Sequence, residues 1–153
     1  MRSFTKTICV LLLCTILVPQ NVLAATSATE TEACIYFEDG SYISIEISAI
    51  ETRSSTIKRG NKTYIYKNSD GVEQWRAVLY GTFTYTGTSS TCTASSCSVT
   101  ISNSNWYEVS KTTEKSGNSA TAELTMGRKL LGITIDKESL TMRITCDANG
   151  NLS

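Results

Sequence analysis

From Tyr42 onward, apolar residues recur at every second position, and no proline interrupts them. Trp75, Ala77, Leu79, Gly81, Phe83 and Tyr85 share one side of the chain. Gln74, Arg76, Val78, Tyr80, Thr82 and Thr84 share the other. A period of two belongs to a strand; a helix would bring residues three and four apart onto one face. The pattern repeats where Ile43, Ile45 and Ile47 alternate with Ser44, Glu46 and Ser48. It repeats again in Ala120, Ala122, Leu124 and Met126, and in Leu140, Met142, Ile144 and Cys146. Turn signals separate these runs at Asp39-Gly40, Asn68-Ser-Asp-Gly71 and Ser116-Gly-Asn118, where residues tolerating positive φ cluster.

No sustained helical period follows residue 24, so the chain reads as all-β. The expected architecture is a single immunoglobulin-like β-sandwich of short antiparallel strands over 34–153, with an N-terminal hairpin over 34–48. Glu51 to Asn61 reads as a loop, and Gly81 as a bend or bulge in a long strand. Cys92 and Cys97 are an odd number apart and would face opposite ways in one regular strand. Either a bulge near Ser95-Ser96 or a separate element for Cys92 resolves that.

The N-terminus has a different grammar. Arg2 and Lys6 precede an apolar run from Ile8 to Val18, then Pro19 and the small-residue end Val22-Leu23-Ala24. This is the layout of a secretory signal over 1–24, and the small polar stretch 25–33 reads as a flexible lead-in. The run is shorter than the ~20 apolar residues a membrane span needs, and no later segment approaches that. The expectation is a secreted, extracellular chain with no transmembrane span. Losing Arg2 and Lys6 takes the formal charge from zero to −2. Such a chain lacks the clustered cations that nucleic acid requires.

Export gives the cysteines their meaning. Cys9 and Cys14 leave with the signal; Cys34, Cys92, Cys97 and Cys146 stay. Four cysteines in an oxidising compartment suggest two disulfides, with three connectivities open. The alternation turns Cys146 inward, which favours an inter-sheet bond from Cys92 to Cys146 and leaves Cys34 for Cys97.

The chain contains no histidine. That removes Ser-His-Asp and Cys-His catalysis and the commonest metal ligand. Neither a catalytic residue, a cofactor site nor a metal site is expected. The acidic pairs Glu38 with Asp39, Asp70 with Glu73, and Asp136 with Glu138 lie in or near turns, where acids are common. Asp147-Ala-Asn-Gly-Asn151 has its glycine too early for a calcium loop and reads as a terminal turn. Tyr64 and Tyr66 lie on one side of their strand and could form a binding platform for sugars. Trp75 falls with the core-facing residues. Arg128-Lys-Leu-Leu-Gly-Ile133 sets two cations beside apolar residues and reads as a strand crossing the core; exposed, it would suit a membrane or partner.

Several stretches form an ordered set: Phe37-Glu-Asp-Gly-Ser-Tyr-Ile43, Lys62-Thr-Tyr-Ile-Tyr-Lys-Asn-Ser-Asp-Gly71, Trp75, Gly81-Thr-Phe-Thr-Tyr-Thr-Gly87, Cys92-Thr, Trp106, Lys115-Ser-Gly-Asn-Ser-Ala-Thr121, Leu130-Leu-Gly-Ile133 and Thr145-Cys-Asp-Ala-Asn-Gly-Asn-Leu-Ser153. In order and spacing the set resembles an uncharacterised family of small secreted β-rich proteins from clostridia-like Gram-positive bacteria. The resemblance implies a bacterial exporter, a β-rich domain, and Cys92 with Cys146 as the likelier disulfide. Cys34 and Cys97 then look like additions. It implies no activity, ligand or catalytic residue. The functional expectation is a secreted, non-enzymatic sandwich for extracellular binding or envelope interaction, its ligand unspecified. The alternative is a secreted antagonistic factor, bacteriocin- or toxin-like, acting on other cells.

Overall fold

The computed structural model describes residues 29–50 and 56–153. The expected signal over 1–24 lies outside the described residues. Eight strands make up the described chain: β1 (Thr29–Tyr36), β2 (Tyr42–Ile50), β3 (Ile57–Lys67), β4 (Glu73–Tyr85), β5 (Ser90–Ile101), β6 (Trp106–Ser116), β7 (Ser119–Leu130) and β8 (Ile133–Thr145). The first five form one antiparallel sheet in the order β1-β2-β3-β4-β5, and the last three a second, β6-β7-β8. The sheets face each other, β4 and β5 lying against β7.

Every hydrogen-bonded neighbour within a sheet is also the next strand in sequence. An immunoglobulin-like sandwich needs Greek-key connections, in which a strand returns beside a non-consecutive one. The observed arrangement is instead a meander, folded into two layers where 102–105 carries the chain from β5 to β6. The strands are also longer than expected, up to 13 residues. Tight turns cause this. Asp39-Gly40, Asn68 to Gly71 and Gly117-Asn118 each reverse the chain at once, with Gly40, Gly71 and Gly117 at positive φ. Within each sheet, a strand therefore pairs with its successor along most of its length.

Alternation along the strands builds the core. Trp75, Ala77, Leu79 and Phe83 from β4 meet Ala120, Ala122, Leu124 and Met126 from β7, and Met142 and Ile144 from β8. Three departures from expectation have local causes. Residues 57–61, read as loop, belong to β3, because Asn61 and Gly60 pair with Ser48 and Ala49. Residues 51–55 lie outside the description. The lead-in is ordered from Thr29, since β1 pairs with β2 from Thr29↔Ser48 onward. The polar stretch 90–101 is one strand with a bulge: Thr82 faces Ala94 and Phe83 faces Cys92, which leaves Thr93 unpaired. The bulge restores parity. Cys92 opposite Phe83 and Cys97 opposite Leu79 both belong to the core-facing side.

No bond joins any of the four described cysteines; all are thiols. The expected Cys34–Cys97 bridge is also excluded by topology. Cys34 is on β1 and Cys97 on β5, opposite edges of the larger sheet. Four strand spacings amount to ~19 Å, against the under ~7 Å between Cα atoms that a disulfide needs. Cys92 and Cys146 behave differently. Both are buried, at the same end. Their backbone amides donate to the successive carbonyls of Gly117 and Asn118. Burial pushes the Cys92 thiol upward, and the nearby Cys146 adds to the rise.

Candidate functional site

The connections at 37–41, 68–72, 102–105 and 131–132 all fall at one pole of the sandwich. The first three, with Arg128 from β7, border a cleft of about 460 Å³, within the range typical of small-ligand sites. Its floor is aromatic. Tyr66 stacks on Trp75 at 5.3 Å between ring centroids and meets Trp106 edge-on at 5.1 Å. Tyr66 and Trp106 line the cleft only by their edges, since both are buried.

The rim is polar and mostly prearranged. The Tyr66 hydroxyl donates to Ser41 Oγ at 3.0 Å, and Ser41 donates from both its amide and its hydroxyl to Asp39 Oδ1. These two bonds from Ser41 hold the Asp39 carboxyl below its ordinary range, with a smaller contribution from Arg128. Burial raises the Tyr66 phenol, so it stays protonated and donating. Opposite, Asn103 Nδ2 donates to Gln74 Oε1 at 2.6 Å, while Gln74 Nε2 donates to the Val72 carbonyl. Arg128, from the β7 end, closes the rim. Sequence reasoning did not find this site. Its residues come from three separate connections and four strands, and only Asp39-Gly40 and Asn68 to Gly71 stood out, as turn formers.

No family model matches the chain, and no curated protein or solved structure does either. The functional reading therefore rests on the geometry.

Tyr64 and Tyr66, expected as an exposed platform, are each 6% exposed and belong to the core. Both sheets cover them, so neither offers a ring face for stacking. The acidic pairs are dispersed. Glu73 is engaged by Arg76 through two hydrogen bonds, at 2.9 and 2.6 Å, and accepts from Ser102. These bonds lower its pKa, Arg76 contributing most. Glu138 lines a second, apolar groove of about 200 Å³ with Ile35, Phe37, Ile43, Trp75 and Leu140. Desolvation there raises its carboxyl, helped by Asp136 and Asp39. Asp39 and Glu138 sit in different depressions, with Tyr66 forming a wall of both. Among the described residues no group of three or more His, Cys, Asp or Glu could hold a metal, and no helix is long and apolar enough to cross a membrane.

The largest departure is at Arg128 to Ile133. This segment does not cross the core. It is the projecting end of the β7–β8 hairpin, with Leu130, Leu131 and Ile133 exposed.

Proposed function

We propose that the protein is exported and works outside the cell as a non-enzymatic binding domain that holds a hydroxylated envelope ligand in the pole cleft. The observation that carries this reading is a rigid aromatic floor under a rim of both hydrogen-bonding signs. Among the described residues, the Arg128 guanidinium, Asn68 Nδ2 and the Ser69 hydroxyl make no protein hydrogen bond and are available as donors. The ionised Asp39 keeps its second oxygen, Oδ2, as an acceptor. A sugar presents donors and acceptors in alternation and suits such a rim. The buried rings supply a fixed surface rather than a stacking partner, so affinity comes chiefly from the rim.

Retention on isolated cell walls and immobilised envelope glycans tests the reading. Arg128→Gln is the informative variant, because its side chain is exposed and makes no hydrogen bond to the described residues. Wild type is expected to be retained and R128Q to be retained at least tenfold less, with the same melting temperature. Equal retention of the two, or none by wild type, refutes the cleft as the site. The alternative of a factor acting on other cells draws support from a separate feature, the apolar hairpin tip.

A further inference from the structure

The β7–β8 tip has no explanation in the fold. Leu131 and Gly132 form a two-residue turn with φ of 50° and 82°. Such a turn requires positive φ at both positions and is normally filled by Asn-Gly or Asp-Gly. Leucine rarely adopts this conformation, and here its side chain is 96% exposed. Ile133 and Leu130 follow at 69% and 56%. A Cβ placed on Gly132 would meet nothing within 4 Å, so the tip stands clear of the body. The sequence sets the least hydrated residues of the chain where only an external partner can cover them.

The surroundings identify that partner's chemistry. Lys129 pairs with Thr134 one step behind the apolar tip, and Lys137 with Gly127 two steps further back. Arg128 lies in the same belt, opposite Asp136, the belt's only acid. Tyr107 lies at the base, with Lys129 Nζ 4.3 Å from its ring centroid and its hydroxyl 2.8 Å from Thr134 Oγ1. Aliphatic residues at the end, cations over the next three pairs and a tyrosine beneath match the layers of a membrane interface. The shape argues against a protein partner. A stable protein interface needs ~800 Å² from each side, far more than three side chains on a convex turn supply. A bilayer accepts a narrow wedge.

We propose that the Leu130–Ile133 tip inserts into the interfacial region of a bilayer carrying anionic lipid, with Lys129 and Lys137 meeting the headgroups. This stands apart from whatever the cleft holds. Insertion is shallow, because the two turn residues keep backbone groups that must stay hydrated.

Co-sedimentation of the full chain with phosphatidylcholine vesicles, with and without a quarter phosphatidylglycerol, tests it. Any binding by residues 1–24 is common to all variants and cancels in their ratio. Leu131→Asn removes the wedge while suiting the positive φ, so the fold is expected to melt no lower than wild type. Partitioning onto anionic vesicles should fall about tenfold in L131N. It should fall at least fivefold in the double variant Lys129→Gln, Lys137→Gln, which should also lose the preference for anionic lipid. No sedimentation of wild type, or L131N sedimenting like wild type, overturns the proposal. Equal binding of wild type to neutral vesicles overturns the role of the lysines. A wild-type dimer that L131N converts to monomer, with vesicle binding unchanged, assigns the tip to a second copy instead.

Discussion

The Tyr107 ring at the base of the tip rests on Gly127, and replacing that glycine with alanine has a calculable effect. Tyr107 lies directly across from Gly127 in the β6–β7 ladder. A Cβ added at Gly127 would sit 2.5 to 2.7 Å from three atoms of the Tyr107 ring and hydroxyl. Ordinary carbon contact begins near ~3.5 Å, so the ring must retreat by ~1 Å. Overpacking of this kind costs about 1–3 kcal/mol. The retreat also strains the Tyr107–Thr134 hydrogen bond, worth about 1 kcal/mol. Against this, alanine in a strand gains about 0.5–1 kcal/mol over glycine. The net expectation for Gly127→Ala is a loss of about 1–3 kcal/mol. In a Tyr107→Ala background the obstruction is gone, and the same substitution becomes neutral or stabilising. Urea unfolding of the four proteins gives the coupling, expected at about 2 kcal/mol. Additivity within ~0.5 kcal/mol would show that the ring does not rest on the glycine, and would remove the basis for treating Tyr107 as the anchor of the tip.

Three further outcomes follow from burial and position. In an oxidising buffer, Cys92 and Cys146 are expected to join. A loop of this length contributes about 4 kcal/mol of chain-entropy stabilisation. The melting temperature should then fall on adding reductant in wild type but not in Cys146→Ala, whereas an unchanged wild-type melt argues against the bond. Cys34, exposed on the β1 edge, should react with a thiol reagent before the others, and a Cys34–Cys97 peptide in a non-reducing digest would contradict the strand order. The raised Glu138 carboxyl makes the folded state bind its proton more tightly than the unfolded chain. Stability from that group is therefore present below the ordinary value of 4.5 and is lost as pH rises through the folded value. Glu138→Gln should gain on wild type between pH 4 and pH 7, and parallel stability curves would show that the groove does not desolvate the carboxyl.

What the sequence disclosed follows from how local each signal is. Alternation is a property of consecutive residues. The buried faces of β4, β7 and β8 could be read directly from Trp75 to Phe83, Ala120 to Met126 and Met142 to Cys146. Turn residues act within four positions, so Asp39-Gly40 and Asn68 to Gly71 were legible too. Strand order is not local. Whether a meander or a Greek key results depends on which edge the chain meets after Ile101, and nothing in Ser102 to Asn105 encodes that alone. Tyr64 and Tyr66 failed for a related reason. A strand in the middle of the larger sheet buries residues from both of its faces, so Tyr64, Ile65 and Tyr66 are all buried in succession. Alternation cannot tell an exposed face from one covered by a second layer. The cleft, assembled from three connections and the strand ends beside them, had no signal of its own in any one of them.

The two poles of the sandwich are built for different purposes. At the pole opposite the cleft, the chain end returns on itself. Cys146 bridges to Leu152, and Thr145 and Ser153 exchange both backbone hydrogen bonds. Asp147 ties this return by accepting from the amides of Asn149 and Asn151 and from Asn151 Nδ2. Leu152 then fills the space that a side chain on Gly60 would take, and the Tyr85 ring occupies the same kind of space at Gly150. Cys92 and Cys146 are buried at this pole as well. Leu152 packs against the core there, while Ile50 remains exposed. At the cleft pole, Leu131 and Ile133 are exposed, and Arg128 and Asp39 face each other across open volume. A chain selected only for stability would have put Asn at the turn and a neutral residue at Arg128. The concentration of exposed apolar and charged groups at the cleft pole, against the hydrogen-bonded return of residues 145–153 at the other, is consistent with the proposed binding at the cleft and the hairpin tip.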